Sequence, residues 1–261
     1  MSSGRRYTPG YDATPTALFD HLATHGMTHA VLVQPSFLGT DNSELLNAIA
    51  AHPERLRGVA VIDFDVSDRE LCALREGGVV GVRFNLVGAP LPDLESPRWR
   101  GLLERVAATD WHVEIHREAH DLHRVVASAL RCGVRVVVDH FGRPNPERGI
   151  DDDGFNSLLG LGASRNVWVK VSAAYRCSLE HEAFVVAAAR RLIDAYGSDR
   201  LLWGSDWPHT QCESAANVAA DLAALQRAAP DDAAHAAILG QTAAKLYRFA
   251  ASISPRSSNS S

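Results

Sequence analysis

Short apolar runs and amphipathic stretches alternate along nearly the whole chain. HAVLVQPS, GVAVID, VVGVRFN, WHVEIH, VRVVVDH, NVWVKVS and LLWGSD are rich in Val, Ile or Leu, and each ends on polar residues. Between them lie SELLNAIAAHPERL, SDRELCALREGG, SPRWRGLLERVAAT, DLHRVVASALRCG, GFNSLLGLGAS and EHEAFVVAAARRLIDAYG, whose apolar residues recur at helical spacing. ESAANVAADLAALQRA and DAAHAAILGQTAAKLYRFA close the pattern as two helices. At the front, a helix begins near Pro15, capped by Thr14 or Asp12, and carries Leu18, Phe19 and Leu22. SDRE has the form of a capping box.

Strict alternation of strand and helix predicts a parallel sheet with helices outside it, and strands apolar on both sides suit a sheet covered on both faces. The expected fold is α/β, a distorted (β/α)8 barrel. Such a barrel needs eight strands, and the pattern supplies seven, because Met1–Tyr11 carries no strand signal. The expectation is therefore that the first strand is missing from this chain. Residues 1–250 are expected to form one domain and residues 251–261 a disordered polar tail.

In such barrels, chemistry gathers at the carboxyl ends of the strands. Here those ends carry Ser36, Asp63, Arg83 with Asn85, His116, His140, Ser172 and Asp206. Parity sharpens the picture. In WHVEIH, His112, Glu114 and His116 share one face, and Val113 and Ile115 share the other. The apolar pair should face the helices and the polar three should point into the barrel, a costly placement unless they are paired or functional. Two histidines and a carboxylate, His116, His140 and Asp206, converge from separate strands. Arg83 and Arg176 add guanidinium forks suited to clamping carboxylates.

The chain has 261 residues, enough for one such barrel, and a net charge of −5 from 26 Lys+Arg against 31 Asp+Glu. Without a basic tract, a nucleic-acid partner is disfavoured. No apolar run reaches the roughly 18 residues of a membrane span. Met1–Arg6 shows no secretory signal. Cys72, Cys132, Cys177 and Cys212 form no CxxC pair and are read as reduced, mostly buried thiols of a cytoplasmic protein. Neither GxGxxG nor GxxxxGK[ST] occurs, so nucleotide-cradling loops have no support.

Five segments in order, QPSFLGTDNSELL, GVRFN, VDHFGRP, VKVSAAYR and WGSDWPH, resemble the amidohydrolase-2 branch of the amidohydrolase superfamily. Within it they are most similar to the 2-pyrone-4,6-dicarboxylate hydrolases. The resemblance implies a metal-free hydrolase that opens a lactone, a cyclic ester, on a small carboxylated ring of aromatic-compound degradation. It implies Asp206 as the base that activates water and His140 as the group polarising the scissile carbonyl. It implies Arg83, Arg176, Ser36 and Tyr7 as substrate contacts, with His116 assisting. The partner is then a small carboxylated lactone, with no nucleic acid and no membrane; whether the chain self-associates as a homo-oligomer is left open.

The chain departs from that family in three places. The family's opening His-x-His strand is absent, and the expectation is that the reading frame continues upstream, with that pattern within ~40 codons, the length of a strand and its loop. His116 stands where the pyrone hydrolases have a tyrosine. The loop LVGAPLPD lacks the family's second arginine. The alternatives are a Zn²⁺-dependent decarboxylase or lactonase with His116, His140 and Asp206 as ligands, and an inactive relative that only binds carboxylates.

Overall fold

The structure, a computed structural model, describes residues 9–250. Tyr7 and the tail at 251–261 lie outside the described residues. Seven parallel strands follow one another in space as in sequence: β1 (Ala30–Val33), β2 (Leu56–Ala60), β3 (Val79–Asn85), β4 (His112–His116), β5 (Arg135–Val138), β6 (Val167–Ser172) and β7 (Leu201–Gly204). Each predicted apolar run is one of them. Among the described residues, β1 and β7 each pair on one side only. The sheet curls, since side chains from β3, β4 and β6 meet on its inner side.

Helices α1 (Pro15–Thr24), α2 (Ser43–Ala51), α3 (Asp68–Glu76), α4 (Pro97–Ala108), α5 (Ala119–Arg131), α6 (Asp153–Gly160), α7 (His181–Tyr196) and α8 (Val218–Ala228) alternate with the strands. Thr14 caps α1, accepting from the Ala17 amide, and Pro15 supplies the preset first position. Ser67 and Glu70 form the reciprocal capping box that starts α3.

Two sequence expectations fail locally. SELLNAIAAHPERL is not helical to its end: α2 stops at Ala51, because Pro53 biases His52 out of the helical region. The closing helix is not regular either. It runs through α9 (Asp232–Ala236), widens into a π turn at Ala237–Gln241 and continues as α10 (Thr242–Leu246). The cysteines also differ from expectation, since only Cys177 is buried and the other three are half-exposed, all of them free.

Parity along the strands builds two cores. On the outer face, Val82, Phe84, Val113, Ile115, Val136, Val138, Val169 and Val171 pack beneath the helices. On the inner face, Val137 and Leu202, joined by Val80 where a register shift between β2 and β3 breaks the alternation, meet Leu246 and Tyr247 at the end of α10. His112 sits beside this inner plug, its ring 5.3 Å from Tyr247, and burial holds its pKa down to about 3. Its ring fills the space where a Cβ on Gly81 would come within 2.2 Å, so position 81 needs glycine for this close approach. Above the plug, the inner face changes from apolar to charged.

Candidate active site

The strand ends surround a cavity of about 1830 Å³. Ser36, Arg83, Asn85, His116, His140, Ser172 and Asp206, the residues read at the strand ends, line it, and so does Arg176, which lies beyond its strand. Asp63 does not join them: β2 ends at Ala60, and Asp63 is exposed beyond it.

The floor is a closed charge network. Glu114 is fully buried on β4 and lies 2.5 Å from Lys170 Nζ and 3.4 Å from Arg83 Nε. Asp139, just after β5, takes Arg83 Nη2 at 2.8 Å and Lys170 at 3.1 Å. Two cations and two carboxylates therefore neutralise one another out of water, the condition under which buried charge is tolerated. Burial and the neighbouring Asp139 push Glu114 up to about 7. Burial works against Asp139 too, yet Lys170 and Arg83 outweigh it and hold this carboxyl well below the usual range.

His116 stands on the rim of the network. Its Nδ1 is 3.0 Å from Arg83 Nη2, and its Nε2 is 3.4 Å from Arg143 Nη1. A guanidinium only donates, so the bond to Arg83 requires a lone pair on Nδ1 and, in the neutral ring, a proton on Nε2. Burial and the charges on Arg83 and His140 keep His116 uncharged, well below the ordinary histidine pKa. Arg143 forms no ion pair with a carboxylate among the described residues. Two donors thus face each other with no acceptor between them.

His140, Phe141, Gly142 and Arg143 form a tight turn after β5 with φ of 48°, 52°, 75° and 51°. Such a run in the left-handed region is costly for side-chain-bearing residues and marks a site held in place by its surroundings. The turn aims His140 and Arg143 into the same cavity. Sequence reasoning passed over Arg143 because it follows the strand by several residues.

The opposite wall is more open. Asp206 follows β7, itself at φ 58°, and its side chain is 22% exposed. Its Oδ2 accepts from Tyr175 at 2.6 Å and from Arg176 Nε at 3.1 Å. Its Oδ1 accepts no hydrogen bond among the described residues and faces His140 Nε2 across 3.7 Å. Burial would raise the carboxyl's pKa, but His140, Arg176 and Tyr175 outweigh it and leave Asp206 below the ordinary value. Burial lowers His140 to about 4, with Asp206 and Asp139 only partly opposing. Its Nδ1 is 2.9 Å from Ser172 Oγ. Arg176 also donates Nη2 to the Thr210 carbonyl.

Lys170, Asp139 and Tyr175 are partners the sequence reading did not single out. For Lys170 the signal was present: in VWVKVS it shares a face with Trp168 and Ser172, just as Glu114 does with His116. His116, Asp139 and His140 also place one ligand-type atom each within 4.8 Å of one another.

Residues 1–249 match the family model for amidohydrolases. A 2-pyrone-4,6-dicarboxylate hydrolase of Comamonas testosteroni is 37% identical over 219 residues, covering 78% of this chain and 70% of the relative. A 4-sulfomuconolactone hydrolase of Hydrogenophaga intermedia is 30% identical, with 80% and 69% of the two chains covered. A crystal structure from Acinetobacter baumannii with citric acid bound, provisionally named a 2-pyrone-4,6-dicarboxylic acid hydrolase, superposes with a TM-score of 0.89. It is 38% identical, with 95% of this chain and 94% of that one covered.

Proposed function

The chain belongs to the amidohydrolase family, and on that premise we propose that it hydrolyses a carboxylated lactone, with Asp206 as the base that activates water. The observation that carries this reading is the unshared Oδ1 of Asp206, 3.7 Å from His140 Nε2 inside the cavity. The other oxygen is fixed by Tyr175 and Arg176, so the carboxylate is aimed and ionised near neutral pH.

In this mechanism, water between Asp206 and the ring carbonyl gives its proton to Oδ1 as its oxygen bonds to the carbonyl carbon. With Ser172 donating to Nδ1, neutral His140 carries its proton on Nε2 and donates it as a hydrogen bond to the oxyanion. One such donor contributes about 3–4 kcal/mol to the transition state. The tetrahedral intermediate collapses, the ring C–O bond breaks, and the proton on Asp206 passes to the departing oxygen. A ring carboxylate sits against Arg143 and His116, whose facing donors lack an acceptor of their own, with Arg83 behind them. Arg176 and Ser36 are placed as further substrate contacts. The names of the two hydrolase relatives support this class: one acts on a dicarboxylate, the other on a sulfonated lactone. Citric acid in the neighbouring structure is likewise a polycarboxylate.

The residues present do not suit a metal ion. Asp139 already neutralises Arg83 and Lys170, Asp206 Oδ2 is taken by Tyr175 and Arg176, and His116 is flanked by two guanidiniums. A divalent cation at His116, Asp139 and His140, or at His116, His140 and Asp206, would have to displace these fixed cations, so no step is routed through one.

We also read the seven strands as a barrel short of one, because β1 and β7 are the two edges that an eighth strand would join.

The test is turnover of 2-pyrone-4,6-dicarboxylate and 4-sulfomuconolactone beside an uncharged lactone of similar size. Hydrolysis of an anionic substrate by the wild type, lost in Asp206→Asn, is the expected result. Equal turnover of the uncharged ring would sink the carboxylate clamp, and full activity in the variant would sink the base.

A further inference from the structure

Away from the charged floor, three histidines gather where α1 meets the loop after β7. His21 and His25 stand one turn apart on the last turn of α1 and its cap, with ring centroids 4.8 Å apart. The His209 ring, from the loop that carries Asp206, is 6.0 Å from His21. His21 Nε2 is buried and has no hydrogen-bond partner among the described residues. A buried ring nitrogen without a partner is costly and needs an explanation that packing alone does not supply.

We propose that His21, His25 and His209 form a binding site for a borderline divalent transition-metal ion, Zn²⁺ or its neighbours Ni²⁺ and Cu²⁺. Imidazoles at i and i+4 on a helix meet one ion from the same face. With Zn–N bonds of about 2.0–2.1 Å in tetrahedral geometry, two coordinating imidazoles have ring centroids about 5 Å apart. The His21–His25 pair already has that separation. His209 has to approach His21 by about 1 Å and swing toward His25, a movement for a side-chain rotation.

Three features of the surroundings fit this role. His209 Nδ1 lies 3.5 Å from the Tyr175 hydroxyl, leaving Nε2 for the ion in the manner of an outer partner that orients a ligating ring. His21 Nε2, buried and without a hydrogen-bond partner among the described residues, is not committed to another group. Glu213, four residues after His209 on the same loop and with its Oε1 accepting from the Gln211 amide, or water, would complete a coordination sphere of four. Unlike His116, none of the three rings is hydrogen-bonded to a guanidinium. The site would clip α1 onto the loop bearing Asp206, beside the contact that Tyr11 makes there with Thr210.

The experiment is calorimetric titration of ZnCl₂ into the full chain after chelator treatment, with His25→Ala, the conservative His25→Gln and His116→Ala in parallel. Circular dichroism checks that each variant is folded. The expected result is one equivalent bound by the wild type and by His116→Ala. Loss of a ligand in either His25 variant should weaken binding by about 10–100-fold or more, at least the loss seen when an outer partner is removed. Zn²⁺ should also raise the melting temperature of the wild type but not of His25→Gln. Binding unchanged in both His25 variants, or abolished by His116→Ala, overturns the proposal and places the ion elsewhere. Absence of binding by the wild type overturns it outright.

Discussion

Two carboxylate groups in the same cavity lead opposite lives. Glu114 and Asp139 share two cations, and both oxygens of Asp139 face positive partners. Asp206 has one oxygen held and the other open toward His140. The first group is neutralised by its neighbours: Glu114 Oε1 and Asp139 Oδ1 accept no hydrogen bond among the described residues, but each lies beside a fixed cation, Arg83 or Lys170. Its work is to hold Arg83 and, through it, His116. The second group is aimed but unfinished, which is the arrangement a general base needs. Burial alone does not separate the two, because both are largely removed from water. The distinction lies in what faces each carboxylate's remaining oxygen: a fixed cation in the floor, a neutral imidazole at Asp206.

The comparison is broken most directly by exchanging charge for neutrality in each group. Asp206→Asn should lower kcat by about 10³-fold, within the range for a lost general base, while the urea midpoint stays near that of the wild type. Lys170→Met should do the reverse: it leaves buried carboxylates short of a cation and should cost about 3–5 kcal/mol in urea unfolding. If Asp206→Asn unfolds and Lys170→Met does not, the assignment of roles is inverted.

Smaller effects sharpen the boundary between floor and wall. Arg143→Met should raise KM about tenfold for an anionic lactone, the price of about 1.4 kcal/mol of binding, with kcat little changed and an uncharged lactone unaffected. The pH profile is a milder test. Asp206 lies below its ordinary value and His140 at about 4, so kcat/KM should stay level from pH 6 to 8, about two pH units above either group. It should fall only in the acid range. A limb between pH 6 and 8 would mean that another group, Glu114 at about 7 or an ordinary histidine, controls turnover.

Stability should also slope with pH in that range. His112 and His140 titrate at about 3 and 4 when folded, but near 6.5 when unfolded. Between these values the unfolded chain binds more protons at these two rings, so their contribution is fully present above about pH 6.5 and is lost as pH falls toward 4, while Glu114, raised to about 7, acts in the opposite sense. Urea midpoints across that window provide the measure.

Much of this was legible in the residue pattern. Alternation placed all seven strands, and parity in WHVEIH put Glu114 and His116 inside with Val113 and Ile115 outside. The same parity applied to VWVKVS points Lys170 inward, so the floor could have been read from two strands together. The pairing itself could not, because which cation meets which carboxylate depends on how far the sheet curls. Tyr175 and Arg143 lie beyond their strands, where a turn rather than a period of two sets direction. The π turn in the closing helix had no local cue, for Ala237–Gln241 contains only ordinary helix formers and one glycine.

One consequence concerns behaviour in a test tube rather than chemistry. Among the described residues, β1 and β7 each have one edge that no neighbouring strand pairs. Strands of this kind recruit strands of other molecules, and charged or proline residues are the usual deterrent. AVLV and LLWG contain neither. Concentrated solutions should therefore be prone to edge-to-edge association, and a lysine introduced on the solvent side of either strand should keep the chains apart.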